Sequence, residues 1–369
     1  MSKPRSMGVS CDSTSRAAGS TIGISCNNWR TPAAVGCRSG ISPASVIQLP
    51  RTSASPRAFS RRGPAAAGRD RGALSMRLVR YGESGAEKPG LVGPDGTIRD
   101  LSGVIRDIAG PVLGAESLGR LRALDPARLP AVPAGTRLGP CVGGVRNFIA
   151  IGLNYADHAA ETNAPIPSEP IIFNKAPSCI VGPNDDVILP KASAKTDWEV
   201  ELAIVIGKRA SYVHANEALD YVAGYCVCND VSEREFQLER GGTWTKGKGC
   251  PTFGPLGPWL VTPDEIPDVQ NLGMWLDVNG ARMQTGSTRT MIFDCRQIVS
   301  YLSHFMLLEP GDVITTGTPP GVGLGMKPPR YLKAGDVVSL GIEGLGEQRQ
   351  TVIAFDDWTA KVAAGEPTN

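Results

Sequence analysis

The sequence predicts an α+β protein in which strands dominate, and three observations carry that reading. Short β-like runs recur between Gly and Pro residues from Val145 to about Phe355. The run Leu202-Ala203-Ile204-Val205-Ile206 is apolar on both faces, as in a strand entering a buried sheet. The strands do not alternate with helices of 10–15 residues, which argues against a doubly wound sheet.

The first 75 residues stand apart. They carry 11 Lys and Arg against only Asp12 and Asp70, whereas the rest of the chain carries 27 basic and 34 acidic residues. This leader is rich in Ser, Arg, Ala, Gly and Pro. It fits an organellar transit peptide, a basic arm for nucleic acid, or translated upstream sequence before a true start at Met76. The body has no stripe of basic and aromatic residues and is acidic, so nucleic acid is not an expected partner there. No apolar run approaches the ~18 residues of a membrane span, so no membrane partner is expected. Of nine Cys, the six in the body form no C-x-x-C pair, which disfavours a disulfide framework or zinc site and points to the cytoplasm.

Residues 76–144 read as a small N-terminal domain. It has a hairpin with a Pro94-Asp95-Gly96 turn, a helix over roughly Ile105–Leu124, and a linker with Pro126, Pro130 and Pro133. Residues 145–356 read as the main domain. Its strands are Pro170–Asn174, Val187–Leu189, Glu199–Ile206, Gly224–Asn229, Trp259–Val261, Met274–Val278, Val313–Thr316 and Val337–Ile342. Helices are expected near Ala215–Val222 and near Cys295–Leu308, the second stopped by Glu309-Pro310-Gly311. The echo of Gly311–Gly317 in Gly335–Gly341 predicts adjacent hairpins of a barrel or roll. Residues 357–369 read as a tail.

The chemistry starts at Asp197-Trp198-Glu199-Val200-Glu201. On a strand Glu199 and Glu201 share a face about 7 Å apart, and two such carboxylates call for a positive group between them. An edge strand with a solvated acidic face is the alternative. Asp230 closes another apolar run, and with no Cys or His nearby the three carboxylates fit a hard cation, Mg²⁺ or Mn²⁺. Asn154 is a candidate N-cap, and His158 and Glu161 at i and i+3 would be neighbours on the turn that follows, either as a water-activating base or as a solvated pair. His214 and His304 read as surface or packing residues. Gly242 to Lys248 matches the start of a phosphate-binding loop, but Gly249-Cys250-Pro251 follows where Ser or Thr and a helix are required, so the segment reads as a flexible loop carrying Lys248 towards an anion. Thr315 to Gly323 offers hydroxyls and N–H groups for a carboxylate, and Lys175 is a further anion contact.

The ordered set Gly152-Leu153-Asn154-Tyr155-x-x-His158-x-x-Glu161, Phe173-x-Lys175, Glu199-x-Glu201, Asn229-Asp230, Lys246-Gly247-Lys248 and Thr316-Gly317-Thr318-Pro319 resembles the fumarylacetoacetate hydrolase family over about residues 145–355. The segments Thr196–Leu202 and Gly241–Cys250 look closest to members named ureidoglycolate lyase and to 2,4-diketo-3-deoxy-L-fuconate and L-rhamnonate hydrolases. The resemblance implies a mixed β-roll or β-sandwich barrel, a homodimer, and Mg²⁺ or Mn²⁺ on Glu199, Glu201 and Asp230. It implies a hydrolase for 2,4-dioxo acids of the acylpyruvate type in sugar-acid catabolism. In it His158 with Glu161 activates water, Lys248 offsets oxyanion charge, and Lys175, Gln237, Gly317 and Thr318 bind the 2-oxo acid. Other outcomes at the same site are ureidoglycolate cleavage, decarboxylation or isomerisation. The aspartate ligand that mammalian-type members place just before the catalytic His has no counterpart near 145–155.

Overall fold

The computed structural model describes residues 76–161 and 164–364. The leader, with all three of its readings, lies outside the described residues. The chain opens with β1 (Arg77–Tyr81), β2 (Lys88–Val92) and β3 (Ile98–Asp100), then α1 (Ala115–Arg122), β4 (Phe148–Gly152) and α2 (Ala156–Glu161). It continues through β5 (Ile171–Lys175), β6 (Ile180–Val181), β7 (Val187–Ile188), β8 (Thr196–Asp197), β9 (Val200–Ile206), β10 (Val222–Asn229) and β11 (Ser232–Glu233). The short helices α3 (Arg234–Leu238) and α4 (Thr245–Lys248) precede β12 (Gly254–Val261), β13 (Gly273–Val278) and β14 (Ala281–Ser287). Then come α5 (Cys295–Phe305), β15 (Val313–Thr315), β16 (Val337–Ile342), β17 (Gly346–Ile353) and α6 (Phe355–Ala364).

Most strands join a ten-stranded sheet of order β3-β2-β1-β12-β10-β9-β15-β4-β5, with β6 against β12. A five-stranded sheet has the order β14-β13-β16-β17-β7, and β8 pairs with β11. Pairing is mixed: β15–β4, β12–β6 and β17–β7 are parallel, and the other paired strands are antiparallel. The class is mostly β with a few helices, as expected. The barrel is not: the order of the large sheet runs from one edge at β3 to another at β5, so no closed barrel forms among the described residues. The strands β1–β3 extend this sheet through the pairing of Leu78 with Leu260.

The centre of the sheet explains why the sequence reads so clearly there. Every residue of β9 and β10 is buried, so both faces must be apolar except where a polar group has a partner. Helices are less legible. The expected helix over Ile105–Leu124 contracts to a 3-10 turn at Gly110–Leu113 and α1, because Gly110 (φ 49°) and Pro111 break the run. The segment expected as Ala215–Val222 forms only a 3-10 turn at Ala218–Tyr221. The helix expected near Cys295–Leu308 is α5, fixed by a capping box between Asp294 and Gln297. The two Gly-Asp echoes feed strands in different sheets, β15 and β16, rather than adjacent hairpins. The presumed tail from residue 357 is helical as far as Ala364.

Candidate active site

Strands β4, β5 and β9 of the large sheet, with the segments that follow β4, β11 and β15, converge on a cavity of about 110 Å³. Its wall includes His158 from α2, Glu199 and Glu201 at the start of β9, Arg234 and Gln237 from α3, Lys248 from α4, and Gly317 and Thr318 after β15. Phe173 and Trp244 close one side, edge to face with centroids 5.1 Å apart. Gly152 in β4 is what lets the indole approach, since a Cβ there would lie 2.6 Å from Trp244.

Glu199, Glu201 and Asp230 are all buried, and each offers an oxygen within 4.8 Å of the others. Asp230 comes to this point because β10 pairs antiparallel with β9, placing Asn229 opposite Val200. The Asn229 side chain accepts the Glu199 N–H at 3.2 Å, so Glu199 lies just outside the ladder rather than in the strand.

The charges around the three carboxylates are unevenly shared. Lys248 Nζ donates to Glu199 Oε2 and Asp230 Oδ2, both at 2.7 Å. Arg234 donates to Glu199 Oε1 at 2.7 Å and to Asp197 Oδ2 at 2.8 Å. Burial raises the Glu199 carboxyl, but Lys248 and Arg234 outweigh it and hold the pKa at about 2. Glu201 pairs with no cation among the described residues, and Lys248 favours its charge only from further off. It accepts the Gly317 N–H at 2.8 Å, and burial together with the charges of Asp230 and Glu199 pushes it well above the ordinary carboxylate range.

Four carboxylates (Asp197, Glu199, Glu201, Asp230) thus face three cations (Lys175, Lys248, Arg234), and the excess falls on Glu201. Asp230 is held from both sides, with Lys175 Nζ 2.5 Å from Oδ1 and Lys248 Nζ 2.7 Å from Oδ2. A buried, all-oxygen donor set with one uncompensated negative charge fits a hard divalent cation.

His158 Nδ1 lies 3.1 Å from Glu161 Oε2 on α2. The Glu161 carboxylate also accepts the Gly321 N–H at 3.2 Å, tying the helix to the loop after β15. Asn154 does not cap α2. Its side chain is taken up by Phe293 and by the Thr316 carbonyl, which anchor the β4–α2 turn to the rest of the fold.

Several expected roles shift. Lys175 is not on the cavity wall: it is fully buried behind Asp230 and donates to the Lys248 carbonyl at 2.5 Å. Burial opposes its charge, yet Asp230 holds its pKa above the ordinary lysine value. Lys248 sits on a helical turn, not a flexible loop, and its partners are carboxylates of the chain itself. The Thr318 hydroxyl spends its proton on the Val200 carbonyl at 2.9 Å. The Thr318 N–H, by contrast, donates to no acceptor among the described residues.

Arg234 and Asp197 went unread in the sequence. Arg234 lies in Ser232-Glu233-Arg234-Glu235, which looks like a solvated charge run, and only its burial shows otherwise. Asp197 accepts the N–H groups of Gly323 and Leu324 and the Arg234 guanidinium at once.

Comparison with known proteins places the chain among its relatives. Residues 147–353 match the model of the fumarylacetoacetate (FAA) hydrolase C-terminal family. A Burkholderia multivorans relative, provisionally named a hydrolase, is 63% identical over 276 residues, covering 74% of this chain and 98% of its own. A fumarylacetoacetate hydrolase structure from Exiguobacterium antarcticum superposes with a TM-score of 0.68 at 37% identity, covering 76% of this chain and all of that one. Maleylpyruvate hydrolase from Sphingobium sp. SYK-6, solved with manganese(II) and pyruvate, gives a TM-score of 0.62 at 30% identity, with 76% and 99% covered. With its fold, its acidic triad and its matched segment in agreement, the chain belongs to the fumarylacetoacetate hydrolase family of enzymes.

Proposed function

We propose that the protein is a divalent-metal-dependent hydrolase that cleaves the carbon–carbon bond of a 2,4-dioxo acid of the acylpyruvate type and releases pyruvate. One observation carries the reading: Glu199 and Glu201, two members of a buried carboxylate triad, line one cavity with His158, whose Nδ1 faces Glu161. Glu199, Glu201 and Asp230 would hold Mg²⁺ or Mn²⁺, which when bound supplies Lewis-acid polarisation of the 2-oxo acid. His158, oriented through Nδ1 by Glu161, takes a proton from water at Nε2 as the oxygen attacks the distal carbonyl. Lys248, with Arg234 beside it, offsets the negative charge that develops on that carbonyl oxygen; the C3–C4 bond then breaks, its electron pair leaves with the pyruvate half, and that carbon takes up the proton held by His158. The Thr318 N–H holds the substrate carboxylate. Phe173 and Trp244 shield the reacting carbons from bulk water.

The manganese and pyruvate of the Sphingobium structure support an acylpyruvate substrate. Within that class we place a 2,4-diketo-3-deoxy sugar acid first, on the likeness of Thr196–Leu202 and Gly241–Cys250 to enzymes that use such acids. Isomerisation is the second reading, because other solved relatives are named 2-hydroxyhepta-2,4-diene-1,7-dioate isomerases. We further propose a homodimer working in the cytoplasm.

The test is to incubate the protein with acetylpyruvate, a 2,4-diketo-3-deoxy sugar acid, oxaloacetate and ureidoglycolate, with Mn²⁺ or Mg²⁺ and with chelator. Metal-dependent pyruvate release from an acylpyruvate is expected; turnover that survives chelation would sink the mechanism. His158→Ala should lower kcat by roughly 10²- to 10⁴-fold while Mn²⁺ still binds. Sedimentation velocity checks the dimer.

A further inference from the structure

We propose that Gln284, a residue outside the cavity, is a positioning residue that sets both the metal-ligand strand and the carboxylate-binding loop. The inference rests on the metal and carboxylate sites named above. In β14, six of seven residues are exposed or half-exposed; Gln284 alone is buried, with no exposure at all. An edge strand has no structural need for a buried amide, which costs free energy unless its groups are paired.

Each of its groups is paired at the active site. Gln284 Oε1 accepts the N–H of Val200, the residue between Glu199 and Glu201, at 3.0 Å. Gln284 Nε2 donates to Thr318 Oγ1 at 2.9 Å and to the Pro319 carbonyl at 2.8 Å. The Thr318 hydroxyl closes the ring on the Val200 carbonyl. One amide from the second sheet therefore spans both polar groups of the Val200 backbone, one directly and one through Thr318. With Nε2 donating to Oγ1, the Thr318 hydroxyl turns its proton inward to Val200, and in the proposed function the backbone N–H is what remains for the carboxylate.

The backbone is shaped for this reach. The β13–β14 pairing shifts register between Leu276, opposite Gln284, and Asp277, a bulge that re-aims the strand. A Cβ on Gly286 would lie 2.3 Å from Pro319, and one on Gly321 would lie 2.0 Å from the Met283 carbonyl. Gly286 thus makes room for the Pro319 ring, and Gly321 lets the loop meet the β14 backbone at Met283.

The probes are Mn²⁺ alone, followed by electron paramagnetic resonance, and pyruvate added to the Mn²⁺-loaded protein. Gln284→Met keeps the volume and removes both arms. It is expected to raise the Mn²⁺ Kd and the pyruvate Kd by roughly tenfold each, the size typical of lost outer partners of metal ligands. Gln284→Glu keeps an acceptor for Val200 but loses a donor to the loop, so pyruvate affinity should fall more than Mn²⁺ affinity. If both variants melt at lower temperature yet bind both probes as the wild type does, Gln284 is only structural and the proposal is overturned. Wild-type protein that binds no Mn²⁺ overturns the metal reading itself, a separate and earlier failure.

Discussion

At the scale of single residues, the two glutamates of Glu199-Val200-Glu201 should behave as opposites. Glu199 is paired with Lys248 and Arg234, so Glu199→Gln leaves buried cations unmatched and should cost about 3–5 kcal/mol of stability in chelator. Glu201 is the carboxyl that pairs with no cation among the described residues, so Glu201→Gln should change metal-free stability by no more than ~1 kcal/mol while abolishing the Mn²⁺ effect. The pH dependence differs in sign too. With its folded pKa raised, Glu201 contributes stability in full below about 4.5, its unfolded value, and loses it as pH rises through the raised value. Glu199, lowered to about 2, contributes above about 4.5 and loses it as pH falls through about 2. Urea melts of chelated wild type, Glu199→Gln and Glu201→Gln across pH 3–8 separate the two; parallel curves would refute the assignment.

At the scale of elements, the loop from Gly317 to Leu324 works as a splint. Gly321 has φ 103° and no room for a Cβ, and its N–H holds Glu161. Gly321→Ala should therefore displace the loop and lower kcat by loosening the His158–Glu161 pair; unchanged kcat with a lowered Tm would confine the effect to stability. The capping box of α5 is a contrast. Asp294→Ala should cost about 1 kcal/mol in thermal melts and leave kinetics alone. Elements also show what was legible. The strands β9, β10 and β16 are plain in the sequence because buried sheets demand apolar side chains in register. The triad was legible because carboxylates at strand mouths conflict with that pattern. Arg234, Asp197 and Gln284 were not, because their roles come from partners 30 to 130 positions away, which local spacing cannot encode.

At the scale of the whole molecule, buried amides join the two sheets behind the site. Gln350 accepts from Asn229 and donates to Gln348, whose own amide donates to the carbonyls of Val227 and Gly257. Asn229 in turn holds the Glu199 N–H, so the packing of one sheet on the other ends at a metal ligand. A cation that binds the folded state alone should then stabilise the entire chain. Mn²⁺ at a hundred times its Kd should add about 2.7 kcal/mol to the unfolding free energy, read as a rise in Tm over the chelated protein. No rise would mean that the triad does not bind the ion in the folded state.

The stretch Asp197–Glu201 meets the later loop at Gly317, Thr318, Gly321, Gly323 and Leu324, all more than a hundred positions further along the chain. Such distant pairings form late, since the intervening chain must be ordered before they are rewarded. The ligands are therefore present early in synthesis, but the site cannot exist until residues beyond 324 have emerged and docked. Mn²⁺ capture during refolding should lag behind the burial of the β9 and β10 core, which makes the ion a clock for the final step of folding.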